Sequence, residues 1–216
     1  MKISPIFATP LCIHQVENSE ALNKALKELI LDAERDPGKY RNPVPTPTVQ
    51  VGIFESELEL FKWQHPAVQS LKSICMMAVS SLIKTLNGYD DQTLSKMVIQ
   101  NESWFHITES GGYISAHTHP MSSWSGVYFV DDGQPDQSRK DNGILRFLDT
   151  KPGANMFLDA GNGRLQSPFS GGSINLPTTP GTLVIFPSYL NHEVTPFFGT
   201  GKRITIAFSS WCKVVS

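Results

Sequence analysis

His117 and His119, one residue apart in GGYISAHTHPMSSWSGVYFV (residues 111–130), are where spacing first suggests chemistry on this chain. On an extended strand, residues i and i+2 leave from the same face with their Cβ atoms close, so both imidazoles can bind one metal ion from one side. Of the six histidines, His14 and His65 fall in a helical first part and His106 ends a strand. His192 follows the apolar run GTLVIFPSYLN, which places it at a strand's end or in the turn after it. Three neutral imidazoles can form one face of an octahedron around Fe(II) with the other face open, or a tetrahedral zinc site, and ligand type alone does not separate the two. Further on, Arg203 and Thr205 in GKRITIAF alternate onto one face of the last strand. A guanidinium is a rigid fork for a carboxylate, the hydroxyl adds a donor, and a buried arginine requires an anion. A dicarboxylate would meet all three conditions.

These residues need a scaffold, and the pattern around them predicts a mainly β fold. From about Lys96 the chain reads as strands broken by turns: KMVIQNESWFHI, YISAHTH, SSWSGVYFV, GILRFLD, GTLVIFP and RITIAFSSW. So many short strands are most simply kept from leaving open edges by a jelly roll. Residues 131–143 and 149–181 read as long loops over its mouth. Before the strands, Leu22, Ala25, Leu26, Leu29 and Ala33 fall at helical spacing behind a cap at Asn18 or Ser19. A second helix is predicted from Pro66, with Val68, Leu71, Cys75, Ala78, Leu82 and Leu86 on one face, to Asn87-Gly88. Between them the prolines of RNPVPTPTVQVGIF favour extended chain entering a strand at 49–54. The expected organisation is a single domain over 1–216, with residues 1–95 supporting a β core at 96–216.

Composition narrows the class. With 18 basic and 20 acidic residues and a net charge of -2, no basic stripe suggests nucleic acid as a partner. The opening MKISPIFATPLCIHQV lacks the pattern of a secretory signal, and no apolar stretch reads as a membrane span, so a cytoplasmic protein with no membrane partner is expected. Cys12, Cys75 and Cys212 have no paired spacing and read as buried thiols.

YISAHTHP, SSWSGVYFV and PGTLVIFPSYLNHEVTPFFGTGKRITIAF together resemble the Fe(II)- and 2-oxoglutarate-dependent dioxygenase superfamily. More closely they look like its bacterial and phage group with HxHP, SGVYY and FPSxxxHxV segments, over roughly Ile99 to Phe208. The resemblance implies a double-stranded β-helix, His117, His119 and His192 as iron ligands, and Arg203 as the anchor of the distal 2-oxoglutarate carboxylate, with Thr205 and Tyr128 beside it. It implies hydroxylase-type oxidation of a small molecule or side chain by molecular oxygen, coupled to decarboxylation of 2-oxoglutarate to succinate. The sequence departs from that pattern at His119, where the superfamily usually has an acid, which leaves the iron one unit more positive; Asp131, at the end of the SGVYFV strand, is the nearest carboxylate to complete the shell in its place. Two alternatives stand beside it. One is a three-histidine cupin-type dioxygenase without 2-oxoglutarate, against which Tyr189 replaces a motif glycine. The other is a non-catalytic metal-binding jelly roll, which has no use for a buried arginine.

Overall fold

Alternating side chains that pack on one face and leave the other free dictate the architecture, and a computed structural model describes it for residues 1–44, 47–151, 153 and 157–214. In chain order the elements are β1 (Cys12–Gln15), α1 (Glu20–Glu34), α2 (Pro37–Tyr40), β2 (Gln50–Glu55), α3 (Pro66–Asn87), α4 (Asp91–Ser95) and β3 (Met97–His117). There follow β4 (Trp124–Asp131), β5 (Leu145–Leu148), β6 (Ser173–Leu176), β7 (Thr182–Pro187), β8 (His192–Val194) and β9 (Arg203–Val214). All strand pairings are antiparallel, in the order β1-β7-β4-β9-β3-β8-β5-β6, with β2 also on β3. The sheet curls into the jelly-roll form expected, a double-stranded β-helix.

Strict alternation on β9 divides the protein in two. Ile204, Ile206 and Phe208 point outward and join Tyr128, Leu183 and Ile185 against Leu26 and Ile30 of α1 and Leu71, Cys75 and Val79 of α3. Arg203, Thr205, Ala207, Ser209 and Trp211 point inward and line a cavity. Gly126 of β4 is where the Phe208 ring lies against the backbone; a Cβ there would stand 2.2 Å from Phe208 Cζ, so no larger residue fits. A second cluster, including Phe129, Leu145, Phe147, Val184 and Phe186, fills the inside of the curl.

The two segments expected as separate strands around Gly111-Gly112 form the single 21-residue strand β3. It pairs with β9 from Met97 to Thr108, then bends and continues beside β2 and β8 to His117. Gly111 takes φ +87°, and a Cβ at Gly112 would stand 2.7 Å from Thr108 Cγ2, so the glycine pair permits the bend that reads as a turn in sequence. Two backbone bonds staple it: Gly111 N–H donates to Phe197 O at 2.6 Å, and Phe197 N–H to Gly112 O at 2.8 Å.

The helices follow their periodicity with local differences. Ser19 stands at the N-cap of α1 but makes no side-chain cap bond. In α3, His65 accepts from Ala67 N–H at 3.3 Å, Pro66 occupies the first turn, and Gly88 closes the helix at φ 67°. Its buried stripe runs through Val68, Leu71, Cys75, Val79 and Ile83, so it is rotated from the expected Ala78, Leu82 and Leu86 in the last turns. The expectation that no apolar stretch is long enough for a membrane span is corrected by α3: it is 22 residues long, and an 18-residue window of it, at mean hydropathy 1.3, passes by length and composition. Part of that hydropathy is the stripe laid on the sheet. The stretch 149–181, read as loop, contains β6; its residues 152 and 154–156 lie outside the described ones. The three cysteines are free, with Cys75 buried and Cys12 and Cys212 half-buried.

Candidate active site

β3 and β8 bring the histidines together. His117 and His192 face each other across the strand pair, and His119 follows two residues past β3. One ring nitrogen from each of the three lies within 4.8 Å of the others, an arrangement that could hold a metal ion. His117 Nδ1 lies 2.8 Å from Ser115 O, and His192 Nδ1 lies 2.9 Å from Leu190 O. A carbonyl accepts only, so each Nδ1 carries the proton and each Nε2 lone pair is free for a metal. His119 Nε2 is 3.3 Å from His192 Nε2, and its ring tilts against Trp104 at 5.6 Å between centroids. No carbonyl anchors its Nδ1 among the described residues.

Burial first, and then mutual repulsion, push these imidazoles toward the neutral, metal-binding form. The pKa of His117 falls below 6.5, that of His119 to about 4 and that of His192 to about 3. Linkage gives the sign. In the unfolded chain these groups take up protons below their ordinary 6.5, and the folded chain resists. Metal-free protein is therefore expected to lose on the order of a few kcal/mol of stability as pH falls from 6.5 toward 4, a window that chemical denaturation at stepped pH measures.

The triad opens on a cavity of about 580 Å³ that Arg203, Thr205, Trp104, Phe129, Glu55 and His106 also line. Arg203 is 6% exposed, and burial alone lowers its pKa, to about 10, so it stays protonated at neutral pH. No acceptor meets its guanidinium among the described residues; its Cζ lies over the Phe129 ring, 5.3 Å from the centroid. A buried charge without a counter-ion is costly, and this one awaits an anion from the cavity.

Of the expected site residues, His117, His119, His192, Arg203 and Thr205 come together, and Tyr128 does not. Its side chain points outward between the sheet and α1, where its hydroxyl donates to Asn23 Oδ1 at 2.6 Å, because neighbouring Val127 and Phe129 take the inward positions. Asp131 is likewise engaged away from the triad, with Lys27 at 2.7 Å. Sequence reasoning missed Glu55, one residue past the predicted strand. It accepts from Asn42 at 2.8 Å and Gln50 at 2.6 Å and lies 3.0 Å from His106 Nε2. Burial pushes its carboxyl up, but these hydrogen bonds, His106's first, outweigh that and hold it down at about 2.

Residues 102–209, half of the 216-residue chain, match a family model described as "Putative 2OG-Fe(II) oxygenase". The chain belongs to this 2OG-Fe(II) oxygenase family, whose cofactors are Fe(II) and 2-oxoglutarate. Among solved structures it is similar to a Pseudomonas putida prolyl-4-hydroxylase, with TM-score 0.58, 16% identity, and coverage of 94% of this chain and 92% of that one. A Trichoplax adhaerens prolyl hydroxylase, solved with a peptide fragment of the hypoxia inducible factor oxygen degradation domain, is similar at TM-score 0.58, 13% identity and coverage of 93% and 83%. The non-heme alpha-ketoglutarate-dependent carbocyclase SnoK of nogalamycin biosynthesis is similar at TM-score 0.59, 12% identity and coverage of 96% and 83%. At these identities the likenesses carry the fold. No curated protein matches.

Proposed function

We propose that the protein oxidises an organic substrate, a small molecule or a side chain, in a hydroxylase-type reaction that consumes molecular oxygen and 2-oxoglutarate. His117, His119 and His192 hold the iron, and Arg203 with Thr205 holds the distal carboxylate of the cosubstrate. The observation that carries this reading is the buried Arg203, without an acceptor among the described residues, on the cavity that the triad shares. The residues fit the group: three neutral imidazoles within 4.8 Å of one another, two of them with Nε2 freed by a carbonyl at Nδ1.

When bound, the iron supplies the oxidising power, with 2-oxoglutarate decarboxylated to succinate as oxygen is reduced. The protein supplies position and dryness. The Ser115 and Leu190 carbonyls fix two imidazole tautomers. The Arg203 fork aligns a carboxylate, and Val127, Phe129 and Leu145 keep the wall beside it apolar. Anaerobic addition of Fe(II) and then 2-oxoglutarate to metal-free protein is expected to give the weak visible charge-transfer band of a chelated keto acid. Iron binding without that band would overturn the 2-oxoglutarate reading and leave the three-histidine cupin-type one.

A further inference from the structure

We infer that the cavity wall formed by Glu55, His106, Trp104, Glu102 and Trp211 binds a positively charged nitrogen, so that the substrate is an amine, a guanidine or a lysine or arginine side chain. The oxygenase reading enters only in calling that ligand the substrate; the binding needs no iron.

The first ground is charge. Among the described residues Arg203 is the only lysine or arginine on the cavity lining, and a dicarboxylate neutralises it. Glu55 and Glu102 remain. Glu55 is 7% exposed, and its partners are the neutral amides of Asn42 and Gln50 and the imidazole of His106, with no lysine or arginine among them. Its oxygens offer about four acceptor positions, of which these donors use three.

The second ground is an unmet hydrogen bond. His106, 8% exposed, has two neighbours at one nitrogen: Trp104 Nε1 at 3.2 Å and Glu55 Oε2 at 3.0 Å from Nε2. A single nitrogen cannot accept from the indole and donate to the carboxylate at once. The bond to the charged oxygen is the stronger, so the proton sits on Nε2 and a lone pair is left on Nδ1. That nitrogen has no partner among the described residues. An acceptor without a partner on a residue that lines the cavity, backed by a carboxylate, is met by an N–H donor with positive charge.

The third ground is the aromatic surface. β3 and β9 run side by side, with Trp104 opposite Ala207 and Glu102 opposite Ser209, so both side chains stand above Thr205 and Arg203 on the inner face. Trp211 spends its Nε1–H on Gln100 Oε1 at 2.8 Å and keeps its ring at the rim. Indole faces attract cations, most strongly where water is excluded.

The test titrates metal-free protein with n-butylguanidinium and n-butylammonium chlorides, against n-butanol and butyrate as neutral and anionic probes of similar length. Binding is followed on the indole N–H resonances of Trp104 and Trp211. The cations are expected to bind about tenfold or more tightly than butanol, and Glu55→Gln to remove about that factor while butanol is unaffected. Arg203→Ala should leave cation binding no weaker. A thermal melt checks that Glu55→Gln folds; if it does not, Glu102→Gln combined with Trp211→Leu, both nearer the rim, must reduce the preference instead. Equal binding of cations and butanol by the parent, or a preference that survives these substitutions, overturns the proposal. A missing keto-acid band alongside intact cation preference would sink the oxygenase reading and leave this wall standing.

Discussion

Arg203→Ala is expected to raise the 2-oxoglutarate concentration that half-saturates the iron-loaded protein by on the order of 100-fold, the usual cost of removing one member of a buried charge pair. The same substitution is expected to leave the metal-free protein at least as stable as its parent. In the absence of an anion the guanidinium is desolvated, and among the described residues the Phe129 ring repays only part of that cost, with no acceptor to meet the rest. Binding and stability therefore move in opposite directions, which simple damage to the fold would not produce. Titration of the charge-transfer band and a melting curve on the same preparations measure both. Arg203→Lys, which keeps the charge but loses the two-pronged geometry, should fall between parent and alanine in binding. A variant that binds the keto acid as the parent does would remove Arg203 from the proposed site.

The three histidines are expected to respond unequally. His192→Ala removes a 3%-exposed proposed ligand whose tautomer the backbone fixes, and should weaken Fe(II) binding by more than about 100-fold, since even the loss of an outer partner costs 10- to 100-fold. His119→Ala should cost less, because among the described residues no backbone carbonyl holds that ring and it rests on Trp104. His119→Asp is expected to strengthen Fe(II) binding over His119→Ala, since it puts an anion beside a dication. Competition against a chelator of known affinity ranks the three. Equal losses from His192→Ala and His119→Ala would mean that backbone anchoring does not distinguish them.

Much of this was legible before any coordinates. The period of two in RITIAF predicts that Arg203 and Thr205 share a face, and the period of 3.6 in α1 and α3 predicts helices packed by one stripe. The spacing of His117 and His119 puts both on one side of a chain, and the apolar run before His192 points to its strand end. Tyr128 was not legible, because its facing depends on β4 meeting β9 with Val127 opposite Ala207 and Tyr128 opposite Ile206. A slip of one residue would turn Tyr128 inward, and nothing local forbids the slip. Glu55 was hidden for the same reason: it reaches the cavity through the pairing of β2 with β3 that sets it across from His106. The bend at Gly111-Gly112 misled in the other direction, since glycine pairs mark turns more often than they carry a strand round a corner.

That bend also serves as a ruler. The β3 part of the proposed substrate wall, at Glu102 to His106, and the proposed metal ligands His117 and His119 belong to one stretch of chain, with the stapled kink between them. The part of the wall that β3 supplies, Glu102 to His106, thus stands at a span from His117 set by one strand, while Glu55 joins it from β2 and Trp211 from β9. Lengthening or shortening 109–112 would leave both ends chemically intact and change their separation. Which carbon along the substrate is presented for reaction is, on this geometry, counted out by the backbone of β3.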